Sequence, residues 1–125
     1  MLDKFNIVAF VPIKDTAKAR TFYQETLGLR FVKDDGFALL FDANGIMVRM
    51  AKVPGEFKPA HFTILGWEVS DIEKTVISLQ EKGVLLERIS YFKQDELGIW
   101  TAPSGDKVAW FKDPDGNTLS VSQHV

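Results

Sequence analysis

A chain of 125 residues carrying 15 basic and 17 acidic side chains, a net charge of −2 and no cysteine has length for one domain that buries roughly two-thirds of its unfolded surface. Its interspersed charges form no basic stripe for nucleic acid or a membrane surface, and without cysteine there is no disulfide, thiolate metal site or cysteine nucleophile. The first residues form no basic and apolar signal segment and no run is long enough to span a bilayer, so the expected location is the cytoplasm.

Phe5 to Val11 is apolar apart from Asn6 and predicts a strand that Pro12 closes. From Asp15, an N-cap type, Ala19, Phe22, Tyr23, Thr26 and Leu27 recur at helical spacing, and Gly28 suits the position just past a helix end. Strands follow at Leu29 to Lys33, Phe37 to Phe41 and Ile46 to Ala51, with Asp34-Asp35-Gly36 and Asp42-Ala43-Asn44-Gly45 as turns. The segment around 53–60, with Pro54, Gly55 and Pro59, reads as a linker.

The same order then returns. Phe62 to Val69 predicts a strand, and Ser70 with Glu73 has capping-box spacing. Ile72, Val76 and Leu79 form a helical stripe that ends at Gly83. Val84 to Ile89, Val108 to Lys112 and Thr118 to Gln123 predict strands, with an irregular stretch from Ser90 to Lys107. Asp113 to Asn117 is turn chemistry, so the last two strands form a hairpin. Asp15 aligns with Asp71, Leu27-Gly28-Leu29 with Lys82-Gly83-Val84, and Asp42-Ala43-Asn44-Gly45 with Asp113-Pro114-Asp115-Gly116. The expectation is one α+β domain over 1–125 made of two tandem β-α-β-β-β units, repeat 1 at about 4–52 and repeat 2 at about 61–125. At about 55 residues, one unit is too small to bury its sheet alone.

The strand, Asp, Phe22-Tyr23 helix and Leu27-Gly28-Leu29, repeated and closed by Asp113-Pro114-Asp115-Gly116-Asn117, resemble the vicinal oxygen chelate superfamily. Its members include glyoxalase I, extradiol dioxygenases, and fosfomycin- and bleomycin-resistance proteins. The resemblance implies sheets curled round a cleft with helices outside, and commonly a homodimer. It also implies metal positions on each first strand, seven residues before the helix-opening Asp, and on each last strand, four residues after the turn glycine. Here these are Val8, Arg49, Ile64 and Ser120. Two hydrocarbons, a cation and a neutral hydroxyl are poor donors for a divalent ion, so no metal or other cofactor is expected there. His61 falls on the opposite strand face from Ile64, and His124 lies at a terminus expected to fray; surface or linker histidines are the plain reading. Ser120 has no paired histidine in the sequence pattern, and a Ser-His arrangement is not expected.

Strand alternation places Val8, Phe10, Met47, Arg49, Ile64, Ser120 and Ser122 on the cleft face. Trp110 joins them if the hairpin loop holds five residues, and Ala109 if it holds four. Trp100 is placed to close the mouth, and Trp67 is assigned to the core. Arg49 requires an anion, either a protein carboxylate such as Glu68 or a ligand. Three functions follow. The first is a metal-free protein that binds a planar or partly anionic small molecule between aromatic walls, like the bleomycin-resistance branch. The second is a glyoxalase-, lyase- or dioxygenase-type enzyme with a displaced metal site, and the third a dimeric interaction module without ligand. The first is the reading adopted, with neither nucleic acid nor membrane as partner.

Overall fold

The computed structural model describes residues 1–125, which divide into two compact units, Met1–Lys58 and Pro59–Val125. The first unit opens with a short 3-10 turn, Leu2–Lys4, and continues as β1 (Val8–Ile13), α1 (Thr16–Thr21), β2 (Arg30–Asp34), β3 (Ala38–Ala43) and β4 (Ile46–Lys52). Its sheet has the order β1-β4-β3-β2, with β1 parallel to β4 and the other pairs antiparallel. The helical crossover is what allows a parallel pair. The strand expected over Phe5 to Val11 is displaced: Phe5 and Ile7 lie exposed before it, and Pro12 sits inside it opposite Ala51. A proline donates nothing to the ladder, and β1 is an edge strand, where that loss is tolerated.

Asp15 caps α1, its carboxylate accepting the Lys18 N–H at 3.1 Å. The helix then widens into one π turn, Phe22–Thr26, closed by the Leu27 N–H donating to the Phe22 carbonyl at 2.9 Å. Tyr23 in this turn is fully buried, edge-on to Phe22 at 5.2 Å and 6.1 Å from the Phe41 ring. Gly28 ends the segment at φ 78. Tyr23 and Ala19 thus cover one sheet face, on which Val11, Ile13, Leu39, Phe41, Val48 and Met50 are buried, each large side chain contributing about 1.5–3 kcal/mol of burial.

The second unit runs β5 (Thr63–Glu68), α2 (Ile72–Glu81), β6 (Trp100–Thr101), β7 (Lys107–Lys112) and β8 (Thr118–Gln123), in the order β5-β8-β7-β6. Ile72, Val76 and Leu79 of α2 are buried with Ala109, Phe111, Leu119 and Val121 of the sheet. The capping box expected from Ser70 is replaced by a cap at Asp71. Its backbone is the extended residue before the helix, and its carboxylate accepts the Lys74 N–H at 3.1 Å. The Ile72 N–H donates to Gln123 Oε1 at 2.9 Å, tying the helix start to β8.

The strand expected over Val84 to Ile89 does not form, and the stretch expected to be irregular contributes β6 instead. The outer edge of β7 is shared between two segments. Trp100 and Thr101 pair with Val108 and Lys107, while Leu86 bridges Phe111 and the Glu87 N–H donates to the Trp110 carbonyl at 2.7 Å. Residues 88–99 form the excursion between these half-strands. In the closing hairpin Asp113 and Asn117 are buried. The Asp113 carboxylate accepts the Asp115 and Asn117 N–H groups at 2.9 Å and the Asn117 side-chain amide at 2.8 Å, which shapes a five-residue turn and sets the register of β7 on β8.

Candidate functional site

Each sheet has one face covered by its helix and one open face, and the sequence-predicted residues other than Ile64 fall on the open faces. In the second unit, Trp110 lies opposite Ser120, and Val108 opposite Ser122 and Trp100. On the other side of β8, Gly66 pairs with Ser120 and Glu68 with Ser122. Trp110, not Ala109, shares the face of Ser120, because the turn holds five residues; Ala109 is fully buried on the helix side. Ile64 is displaced from the expected alternation. The ladder slips between Thr63 and Leu65, which leaves Ile64 as the extra residue of a bulge and Phe62 exposed before the strand.

Trp100 stands in β6 rather than in a loose loop, and its ring packs on others. The Phe92 ring stacks on Trp110 at 5.2 Å with an interplanar angle of 3°, and on Trp100 at 4.4 Å and 30°. Phe92 comes from the excursion 88–99, which is tied down at several points. Gln94 accepts the Ile89 N–H at 2.7 Å and donates to the carbonyls of Glu87 and Gly98 at 2.9 and 2.8 Å. The Arg88 guanidinium donates to the carbonyls of Asp95 and Glu96, and the Asp95 carboxylate accepts the N–H groups of Leu97 and Ile99. The result is an aromatic wall of three half-buried rings beside a narrow polar strip of Gly66, Ser120 and Ser122. Phe92 was missed from sequence because nothing local ties residue 92 to a strand 18 residues on.

In the first unit, Val8, Phe10, Met47 and Arg49 share the open face, with Val8 opposite Met47 and Phe10 opposite Arg49. Phe10 is 63% exposed, and Val8 and Met47 are also exposed. A cavity of about 240 Å³ lies toward β2, lined by Arg30, Val32, Leu40, Asp42 and Met47 among others. Arg49 is paired inside the unit with Asp35, at 2.8 Å, and not with Glu68. That guanidinium, together with the Phe37 and Ala38 N–H groups, holds the Asp35 carboxyl down at about 2. Arg30 on Asp42 and Lys52 on Asp34 are further cross-strand ion pairs, and each lowers the pKa of its carboxylate.

At the end of β8, His124 is engaged rather than frayed. Its Nε2 lies 3.0 Å from Ser122 Oγ and its Nδ1 3.4 Å from Asp106 Oδ2. Asp106 accepts the Val125 N–H at 2.9 Å. That bond and the neighbouring imidazole lower the Asp106 pKa. The signal available in the sequence was the Ser122-Gln123-His124 spacing, which puts both side chains on one face of a continuing strand. His61 is exposed.

A model of the Glyoxalase/Bleomycin resistance protein/Dioxygenase superfamily matches residues 4–121. The chain belongs to that superfamily. A sequence relative, the uncharacterized protein YraH of Bacillus subtilis (strain 168), is 28% identical over 123 residues, covering 87% of this chain and 90% of its own. Among solved structures, a superfamily member from Sphaerobacter thermophilus DSM 20745 aligns with a TM-score of 0.77 at 23% identity, over 99% of this chain and all of its own. A lactoylglutathione lyase from Agrobacterium tumefaciens aligns at 0.74 and 17% identity, over 96% and 93%. These likenesses show the βαβββ fold shared across the superfamily.

The four positions at which the resemblance leads one to expect metal ligands are Val8, Arg49, Ile64 and Ser120. Two are hydrocarbon, one is a cation already paired with Asp35, and one is a neutral hydroxyl. A divalent ion requires carboxylate or imidazole donors, so this set does not fit one. No group of three or more His, Asp or Glu side chains gathers elsewhere into a metal-holding cluster. No helix is long and apolar enough to cross a membrane.

Proposed function

We propose that this superfamily member is a cytoplasmic small-molecule-binding protein that works without a metal at the family positions and takes a planar, partly anionic organic compound. The observation that carries the reading is the pre-built aromatic wall of Phe92, Trp100 and Trp110 beside the hydroxyls of Ser120 and Ser122. Flat rings offer stacking surface at low conformational cost, and the flanking hydroxyls orient a polar substituent. In the first unit, Arg49 is a separate candidate for gripping an anion. One terminal nitrogen is committed to Asp35, and a guanidinium has further donors for a ligand carboxylate or enolate. The exposed apolar side chains Val8, Phe10 and Met47 are the surface a homodimer would cover.

Two titrations test the reading. Chelator-stripped protein is titrated calorimetrically with zinc, nickel and manganese ions, with no stoichiometric uptake expected; uptake of any of them overturns the metal-free reading. A panel of aromatic carboxylic acids and phenols is then titrated against tryptophan emission, with saturable quenching expected. Arg49→Leu is expected to fold nearly normally and to bind the acids of that panel more weakly in calorimetric titration. A large loss of stability in that variant would make Arg49 a structural ion pair instead.

A further inference from the structure

The group at the end of β8 goes beyond ligand binding. Ser122 Oγ, His124 Nε2, His124 Nδ1 and Asp106 Oδ2 are strung in that order at 3.0 and 3.4 Å. A hydroxyl within hydrogen-bond reach of an imidazole, which is itself turned by a carboxylate, is the arrangement that activates a serine. Contacts of this kind tighten when substrate binds. Asp106 is anchored by the Val125 N–H and sits beside Nδ1. It favours the tautomer with the proton on that nitrogen, leaving the Nε2 lone pair toward Ser122. On the same open face, Ser122 has Val108 and then Trp100 along its register row, and Trp110 one row away. A ring lying on that wall therefore brings its substituent to the Ser122 hydroxyl.

We propose that Ser122, His124 and Asp106 act as nucleophile, general base and orienting carboxylate in acyl transfer from a small uncharged aryl ester. Ser122 Oγ adds to the ester carbonyl carbon while its proton passes to His124 Nε2. The bond between the carbonyl carbon and the aryloxy oxygen breaks, and the departing aryloxide takes the proton from His124 and leaves as a phenol. The acyl group stays on Ser122 until a water, deprotonated by the same imidazole, releases it as the carboxylic acid and restores the serine. The proposal stands on the side-chain triad and does not depend on Arg49 or on the absence of a metal.

The test uses 4-nitrophenyl acetate with the full chain, following nitrophenol release by absorbance and acetylation by peptide mass spectrometry. The expected result is turnover above buffer with an acetyl group on the peptide containing Ser122. Ser122→Ala should abolish that adduct and the turnover, and His124→Gln should slow release by about 10²-fold, the scale of a positioned general base. Asp106→Asn should slow it while leaving Ser122 modifiable. Unchanged circular dichroism of the two alanine and glutamine variants separates lost chemistry from lost fold. Release that persists in Ser122→Ala, acetyl groups confined to lysines, or no turnover by the wild-type chain overturns the proposal.

Discussion

The Arg49 guanidinium and the Asp35 carboxylate lie 2.8 Å apart, each about a quarter exposed, one from the middle of β4 and the other from the turn before β3. The pair fixes the direction of the Arg49 guanidinium and, with the Phe37 and Ala38 N–H groups, lowers the Asp35 pKa.

This has a consequence in acid. Asp35 is held at about 2 against its usual 3.8, so the unfolded chain binds that proton more tightly than the folded one. Stability from Asp35 is therefore fully present above about pH 4 and is lost as pH falls through 2. Asp35→Asn should flatten the acid limb of a pH-dependent urea unfolding series between those values, with Arg49→Leu reproducing part of the change. An acid limb identical to wild type in both would show that the pair has no such effect.

Gly66 is dictated by its neighbour on β8. A Cβ built there would stand 2.6 Å from Ser120 Oγ, so Gly66→Ala forces the hydroxyl or the strand to move. A cost of about 1–3 kcal/mol in chemical denaturation is expected, largely relieved when Ser120→Ala is added. Equal costs in the two backgrounds would place the strain elsewhere.

Gln94 holds the excursion that carries Phe92. Its side chain makes three hydrogen bonds to the backbone of Glu87, Ile89 and Gly98, and Gln94→Ala leaves those half-buried groups without it. A loss of about 2 kcal/mol is expected, together with a red-shifted tryptophan emission as Phe92 leaves the Trp100 and Trp110 rings. Wild-type emission in the variant would mean that the ring stack holds the loop unaided.

The two aspartate caps make a matched pair. Asp15→Ala and Asp71→Ala should each cost about 1 kcal/mol, while Ser70→Ala should change stability by less than about 0.5 kcal/mol. Thermal unfolding of the three variants decides it; a Ser70 effect as large as that of Asp71 would restore the capping box.

The features decided within a few residues were legible in the sequence. Asp15, the helical spacing through Leu27 and the left-handed Gly28 define the first helix locally. The Asp113 to Asn117 turn is legible as a hairpin, though the choice of Trp110 over Ala109 beside Ser120 waited on its five-residue length, and the repeated order of elements carries the superfamily fold. Only the tertiary structure decided what lies across distance. Arg49 was expected to meet Glu68 or a ligand, and packing within the first unit gives it Asp35 instead. Leu86 and Trp100 divide one strand edge because Gln94 and Arg88 close the excursion between them. His124, expected at a frayed terminus, is set between Ser122 and an aspartate 18 residues before it. Local sequence fixes backbone preference and periodicity, whereas the partner of a charge or a ring depends on which segments packing brings together, and no single window of the chain contains both halves of that contact.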